Sequence, residues 1–179
     1  ELSFKGLSKL RKDIGFLFQG AALYDSMTVR ENLAFPLKRH FEDMTPKQIE
    51  DKVRYTLELV SLEEAIEKMP SELSGGMKKR IGLARSIITD PALMLYDEPT
   101  TGLDPITTKE ISELILTLQK KLDMTSIVVT HDLICAEIIA DRAIFLRDAK
   151  VAFEGTIEGL TKSDDPFLRN FFSHEIIKV

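Results

Sequence analysis

The chain has 179 residues, of which 44% are hydrophobic and 30% are charged, a composition typical of one globular domain with its own core. A formal net charge of −5, without a dense basic run, gives no support for nucleic acid as a partner. No apolar run approaches the roughly 20 residues that a membrane-spanning helix requires, so we expect any membrane role to depend on a partner. The single cysteine, Cys135, cannot form an internal disulfide and is expected on a helix, facing the core.

The first half of the chain predicts one strand followed by helices. Residues 14–18 form an apolar run that predicts a buried strand ending at Gln19. Thr28 and Glu31 have the spacing of a capping box, which opens a helix that Pro36 is expected to end. No convincing strand appears over residues 40–90, so this part of the chain is predicted to be helical.

The second half alternates between apolar strands and helices. Residues 93–96 and 126–130 are predicted strands, and residues 105–121 and 133–140 are predicted helices. This alternation predicts an α/β fold with a mostly parallel sheet that helices cover on both faces.

The end of the chain predicts a hairpin and a last helix. Residues 143–146 and 151–153 are expected to form a β-hairpin at the edge of the sheet. A helix is expected to begin at Asp165 and Pro166, with one apolar side formed by Phe167, Leu168, Phe171 and Phe172.

Two adjacent carboxylates follow the strand predicted at residues 93–96. The carboxyl ends of parallel strands are where open α/β sheets bind ligands, and hard carboxylate oxygens suit Mg²⁺. Asp97 is therefore the candidate magnesium ligand, and Glu98 the candidate that orients or deprotonates an attacking water. The alternative is that they are two solvated acids at a strand end. Pro99, Thr100 and residues 102–104, which follow the pair, argue against this alternative.

A second candidate site lies at the start of a predicted helix. Ser74, Gly75 and Gly76 precede a helical pattern that begins at Met77. A helix N-terminus offers unpaired N–H groups and positive charge to an anion, and glycines let phosphate oxygens approach the backbone. Ser74 could instead be a simple N-cap, but the spacing to the Asp97 strand favours a phosphate site.

Two further polar residues follow predicted strands. His131 ends the strand at residues 126–130, which is expected beside the Asp97 strand, where the histidine could donate to a γ-phosphate. An ordinary loop histidine is the alternative, and we favour that interpretation for His40 and His174. Gln19 could reach Mg²⁺ or the water through its amide oxygen, although alone it is weak evidence.

These residues resemble five motifs of the ATP-binding-cassette (ABC) ATPases, in the order of that family. Gln19 matches the Q-loop glutamine and His131 the switch histidine. The signature, Walker B and D-loop motifs match residues 73–77, 93–98 and 102–104. The resemblance implies a partial P-loop NTPase fold and an ATPase of transporter type.

The resemblance also implies a role for each of these residues. ATP and Mg²⁺ would be the cofactors. Glu98 and His131 would be catalytic residues, and Asp97 and Gln19 would bind the metal. All four residues would belong to one site. The family forms a head-to-tail dimer in which the signature of one subunit closes over ATP held by the other.

In that dimer Ser74, Gly75 and Gly76 would bind the nucleotide of the opposite subunit. The resemblance also implies that Asp104 of the D-loop binds nucleotide. ATP binding would close the dimer, and hydrolysis would reopen it to drive a membrane partner.

A finer resemblance is to the ATPases of bacterial Mla-type phospholipid transport systems. It implies a homodimer on the cytoplasmic face of the inner membrane, bound peripherally to a permease that works with an MCE-type lipid-binding protein. The segments that carry this resemblance are residues 18–29, Asn32, residues 35–37, residues 69–77 and residues 104–107, with Asp165 and Pro166 before the last helix.

The resemblance also suggests a division of the chain. Residues 1–179 would form the C-terminal part of one ABC ATPase domain. Within it we expect a helical subdomain with the signature at about 40–90 and a core with Walker B, D-loop and switch histidine at about 91–155. A C-terminal extension would occupy about 156–179.

One family motif is missing. The phosphate-binding Gly-x-x-x-x-Gly-Lys-Ser/Thr loop, Walker A, occurs nowhere in the 179 residues, and Glu1 is not a methionine. The chain is therefore expected to be a fragment that alone neither binds ATP tightly nor hydrolyses it. We also expect the Asp97 strand to lack a neighbour, so that the fragment is poorly stable or self-associates.

Three other interpretations remain. The chain could belong to another ABC importer or exporter, because partners choose the substrate. It could be a DNA-repair or chromosome-organising ATPase, but the short span from Gln19 to Leu73 lacks the heptads of a long coiled coil. It could also be a non-catalytic fragment or a degenerate subunit.

Overall fold

The structure is a computed structural model that describes residues 3–170, with the backbone alone for residues 4–5 and 8–9. The predicted apolar positions Phe171 and Phe172, and His174, lie outside this range. Its helices and strands run in the order α1 (Phe4–Lys12), β1 (Ile14–Leu17), α2 (Val29–His40), α3 (Pro46–Leu59), α4 (Gly75–Ile87), β2 (Leu93–Asp97), α5 (Pro105–Lys121), β3 (Thr125–Val129), α6 (Leu133–Ile139), β4 (Ala143–Arg147), β5 (Lys150–Gly155) and α7 (Ile157–Thr161). Short 3₁₀ turns occupy Glu63–Ala65 and Pro70–Glu72, between α3 and α4.

The α/β fold is confirmed by a three-stranded parallel sheet in the order β1-β2-β3. Leu95 in the middle of β2 pairs with Phe16 on one side and with Ile127 on the other. The Asp97 strand is therefore the central strand, and the expectation that it would lack a neighbour is wrong. Hydrogen bonding on both sides fixes the strand that carries the two adjacent carboxylates.

The two faces of the sheet differ in their cover. Leu17, Met94 and Tyr96 point to one face and are fully buried, in one core with the apolar sides of α4 and α5. Phe16 and Val129 point to the other face and are 42% and 61% exposed. Within residues 3–170 helices therefore cover one face more completely than the other, which corrects the expectation of equal cover on both faces.

Close approach of α4 to β1 requires a glycine at position 15. A Cβ atom built there would lie 2.5 Å from the carbonyl oxygen of Ser86 and 2.2 Å from the sulfur of Met94. Any side chain would push α4 away from the sheet. This contact fixes where the helix lies relative to the strand ends.

Helix α2 continues through Pro36 to His40, so the prediction that this proline ends the helix is wrong. A proline inside a helix removes one backbone hydrogen bond and crowds the preceding turn. Leu33 and Leu37, on either side of it, are both fully buried, and their packing outweighs that loss. The predicted capping box of Thr28 and Glu31 is present.

The chain from α2 to α4 is helical, as predicted, and contains no strand. The division of the chain at about residues 40, 90 and 155 stays a prediction.

The hairpin of β4 and β5 is confirmed, but it forms a separate two-stranded sheet and does not extend the parallel sheet. Phe145 and Phe153 of the hairpin pack against Leu160 and Leu168, which form a second, small core. Cys135 is fully buried on α6 as predicted, and burial raises the pKa of its thiol. Over residues 3–170, the helices are too short or too polar to cross a membrane.

Candidate active site

The predicted site residues of the sheet follow its three strands at one edge. Asp97 is the last residue of β2 and Glu98 follows it, His131 comes two residues after β3, and Gln19 comes two residues after β1. Because the strands are parallel, their carboxyl ends lie side by side. The topology therefore brings Gln19, Asp97, Glu98 and His131 to the same edge.

Glu98 and His131 are in direct contact. The carboxylate oxygen Oε1 of Glu98 lies 2.9 Å from Nδ1 of His131. Its other oxygen, Oε2, accepts a hydrogen bond from the Thr101 hydroxyl at 3.0 Å and lies 3.5 Å from that of Thr130. The carboxylate is thus oriented by groups that follow β2 and β3.

The backbone turns sharply at Glu98. Its φ angle is +48°, in the left-handed region that non-glycine residues rarely adopt. Its N–H donates to the carbonyl oxygen of Val129 at 2.9 Å, which continues the β2–β3 pairing by one bond. This turn directs the Glu98 side chain toward the loop after β3, where His131 lies.

A second link joins the same two loops. The hydroxyl of Thr100, only 2% exposed, donates to Oδ2 of Asp132 at 3.0 Å. Oδ1 of Asp132 caps α6 by accepting from the N–H of Cys135, and the Asp132 N–H donates to the Thr130 hydroxyl at 3.0 Å. The sequence analysis assigned no role to Thr100 or Asp132. The indication in the sequence was that Thr100 lies two residues after Glu98 and that Asp132 directly follows His131.

Lys79 is the other residue that the sequence analysis missed. It lies on α4 with 6% of its surface exposed, and its ammonium donates to the backbone carbonyl oxygens of Gln19 and Glu98. Burial lowers the pKa of this ammonium, and the nearby Glu98 and Asp97 carboxylates partly oppose that shift. The signal was its position one helical turn before Leu83, on the buried side of the helix.

Ser74, Gly75 and Gly76 form the N-terminus of α4, as predicted. The Ser74 hydroxyl caps the helix by accepting from the N–H of Met77 at 3.3 Å, so the simple capping role is real. Gly76 faces α5 closely: a Cβ atom there would lie 3.1 Å from the Thr107 methyl group. Ser74 and Gly75 are exposed at the surface, where another molecule could reach the helix end.

Asp104 caps α5. One oxygen accepts from the N–H groups of Ile106 and Thr107, and the other accepts from the Thr107 hydroxyl at 2.6 Å. The Thr107 hydroxyl, followed by its N–H, lowers the pKa of this exposed carboxyl. A contact between Asp104 and nucleotide stays a prediction.

The donor set at the strand ends fits a hydrated magnesium ion. Mg²⁺ keeps several waters and takes only one or two protein oxygens beside those of phosphate. Asp97 and Gln19 offer a carboxylate and an amide oxygen of this type. Among the described residues, no group of three or more His, Cys, Asp or Glu residues could hold a metal ion.

Comparison with known proteins supports this interpretation of the motifs. The chain is 44% identical over 174 residues to the "Intermembrane phospholipid transport system ATP-binding protein MlaF" of Haemophilus influenzae, covering 97% of this chain and 66% of that protein. It is 40% identical over 173 residues to the "Probable ribonucleotide transport ATP-binding protein mkl" of Mycobacterium leprae, covering 97% of this chain and 50% of that protein. The chain thus spans half to about two thirds of the curated relatives it matches.

Solved structures match the fold. One is described as "Dimeric structure of a post-hydrolysis state of the ATP-binding cassette MJ0796 bound to ADP and Pi", with a TM-score of 0.76 and 32% identity over 88% of this chain and 68% of that one. Another is cbiO1 of Clostridium perfringens, with a TM-score of 0.80 and 28% identity over 99% of this chain and 66% of that one.

The predicted resemblance to ABC ATPases, and to Mla-type ATPases among them, is therefore confirmed. A family model, described as ABC transporter, matches residues 1–101, which contain Gln19, Ser74, Asp97 and Glu98. The chain belongs to the ABC transporter family.

Proposed function

We propose that this chain is part of an ATP-binding subunit that couples ATP hydrolysis to membrane transport of phospholipid. The observation that carries the proposal is the contact of 2.9 Å between Glu98 and His131. Glu98 directly follows Asp97, which is the last residue of β2. A general base and a polar group that meet beside a magnesium ligand are what hydrolysis of a phosphoanhydride requires.

The side chains have distinct roles in this proposal. Glu98 orients the attacking water and accepts its proton, a contribution of roughly 10²–10⁴-fold in rate. His131 donates a hydrogen bond to the terminal phosphate and also keeps Glu98 in place. Asp97 and Gln19 hold Mg²⁺, which when bound supplies positive charge to the phosphate oxygens.

The exposed N-terminus of α4 acts across a homodimer. Ser74, Gly75 and Gly76 bind the phosphates of ATP on the partner subunit with backbone N–H groups and a hydroxyl. Asp104, which caps the neighbouring helix α5, contributes to the same nucleotide site in this proposal. The dimeric state of the solved relative that was bound to ADP and phosphate supports this arrangement.

Phospholipid is the proposed substrate because the relative from Haemophilus influenzae carries the name of a phospholipid transport protein. The proposed partners are a membrane permease and an MCE-type lipid-binding protein, with the ATPase held peripherally at the cytoplasmic face of the inner membrane. Ribonucleotide is a second candidate, favoured by the name of the mycobacterial relative.

Residues 1–179 alone are proposed to bind ATP only weakly. Backbone N–H groups and the lysine of a Walker A loop supply most of the phosphate grip in this family, and the 179 residues do not contain that motif. Micromolar, Mg²⁺-dependent ATP affinity of the 179-residue chain, measured by calorimetry, would contradict this proposal.

The test of the proposed function uses the complete gene product purified with whatever it binds in its native membrane. We expect ATP hydrolysis, and phospholipid in the purified complex by mass spectrometry. Ribonucleotide in place of phospholipid would favour the second substrate. A complete protein that binds no ATP would overturn the proposal.

A further inference from the structure

Lys79 occupies a position that the roles above leave unexplained. Its ammonium donates to the carbonyl oxygen of Gln19, just beyond β1, and to that of Glu98 at 3.2 Å, just beyond β2. Both acceptors are main-chain atoms of loops that carry proposed site residues. One side chain therefore joins two loops that are far apart in the sequence.

A buried ammonium is costly unless its hydrogen bonds are satisfied. Transfer of a charged group out of water carries a large penalty, which lowers the pKa of Lys79, and the two carbonyl oxygens offset part of it. An apolar residue of similar length would fill the same space without that penalty. The charge is therefore better explained by the two carbonyl groups it holds than by packing.

The loops on both sides of the ammonium adopt unfavourable backbone conformations. Ala21 and Ala22 have φ angles of +62° and +50°, and Glu98 has +48°, although none of them is glycine. Left-handed conformations of such residues persist only where surrounding contacts hold them. Lys79 binds the loop backbone at Gln19, two residues before Ala21, and at Glu98 itself.

Lys79 also connects these loops to the proposed trans-acting site. It lies on α4, the helix whose N-terminus is formed by Gly75 and Gly76 and capped by Ser74. Helix α4 thus carries the signature at its start and binds both loops one helical turn later, through Lys79. This arrangement couples the position of the signature to the positions of the two loops. A shift of α4 on dimer closure would then move Gln19 and Glu98 together.

We propose that Lys79 is a positioning residue of the hydrolysis site: its ammonium holds the Gln19 and Glu98 loops in register with each other and with the signature helix. The expected effect of Lys79 on turnover rests on the proposed function. Its expected effect on the positions of the two loops rests on the geometry alone.

The test compares Lys79→Met with Lys78→Met in the complete protein. Methionine keeps the length of the side chain but has no donor, and Lys78 is the exposed neighbour on the same helix. We expect Lys79→Met to lower kcat by roughly 10- to 100-fold with little change in the KM for ATP, because misplaced catalytic groups lose about that much. Lys79→Arg, which keeps a charged donor, should retain most of the turnover.

Hydrogen exchange without nucleotide gives an independent readout. We expect faster exchange in peptides covering residues 19–22 and 98–101 for Lys79→Met, but not for Lys78→Met, with the rest of α4 unchanged. Unchanged kcat and exchange in Lys79→Met, or an effect on KM alone, would overturn the proposal. If Lys79→Met does not fold, Lys79→Leu, which also has no donor, replaces it and the same outcomes decide.

The two failures are distinguishable. Absence of hydrolysis by the wild-type protein would overturn the proposed function. The exchange measurement needs no nucleotide, so it would still decide whether Lys79 positions the two loops.

Discussion

Oε1 of Glu98 and Nδ1 of His131 lie 2.9 Å apart, although the two residues follow different strands. The Glu98 side chain is 21% exposed, whereas that of His131 is 67% exposed. The carboxylate is thus held within the protein while the imidazole reaches solvent. This asymmetry suits a base that stays in place and a partner that can also reach a bound phosphate.

The first prediction concerns Glu98→Gln in the complete protein. Glutamine has the same shape but cannot accept a proton from water, so turnover should fall by roughly 10²–10⁴-fold while nucleotide binding and dimer closure remain. Phosphate release and equilibrium nucleotide binding measure the two effects. Glu113→Gln on the exposed side of α5 is the control and should leave both unchanged. Normal turnover of Glu98→Gln would remove this residue from its assigned role.

The second prediction separates His131 from an ordinary histidine. His131→Ala should reduce kcat, because it removes both the contact with Glu98 and a donor for phosphate. His40→Ala, at the end of α2, should keep wild-type turnover. Steady-state hydrolysis of both variants provides the comparison, and equal rates would argue against a catalytic His131.

The third prediction uses two matched helix caps. Ser74 and Thr45 cap α4 and α3 through the same kind of hydroxyl contact, at 3.3 Å in each case. Replacing either by alanine should lower the free energy of unfolding by about 1 kcal/mol. Only Ser74→Ala should also impair hydrolysis, without weakening nucleotide binding to the monomer. Loss of monomer binding in Ser74→Ala would contradict an action across the dimer.

The fourth prediction concerns packing between α4 and β1. Gly15→Ala places a methyl group 2.5 Å from a backbone oxygen, so we expect a loss of about 1–3 kcal/mol in the free energy of unfolding. Gly20 has no atom within 4 Å of the corresponding position, so Gly20→Ala should be tolerated. Chemical denaturation measures both variants. A stable Gly15→Ala would mean that α4 can move away from the sheet without penalty.

The sequence predicted the edge of the sheet where the site lies, because parallel strands place their carboxyl ends together. Asp97, Glu98 and His131 could therefore be placed near one another from the strand pattern alone. The place of β3 beside β2 was also predicted and is confirmed, whereas the place of β1 on the other side of β2 was not predicted. The Asp97 strand was expected to lack a neighbour because the Walker A part of the family does not occur in these residues, but β1 and β3 both pair with it.

Tertiary packing explains two other differences between the sequence predictions and the structure, at Pro36 and at Lys79. Pro36 disfavours a helix locally, but the burial of Leu33 and Leu37 carries α2 past it. Lys79 stands between Lys78 and Arg80 in a run that is typical of a solvated surface. Its spacing from Leu83 is compatible with the buried side of α4, but its burial also depends on how closely α4 approaches the loops after β1 and β2.

The links around Asp132 have a consequence for how the His131 side chain moves. The backbone after His131 is held by the Asp132 N–H bond to Thr130, and the Asp132 carboxylate is held by Thr100 and by the end of α6. Rotation of the imidazole about its own side-chain bonds leaves these contacts of Asp132 unchanged. Rotamer changes of exposed side chains take picoseconds to nanoseconds, far less than loop rearrangements. In the proposed site, the ring would therefore turn from Glu98 toward a phosphate without any change in the main chain.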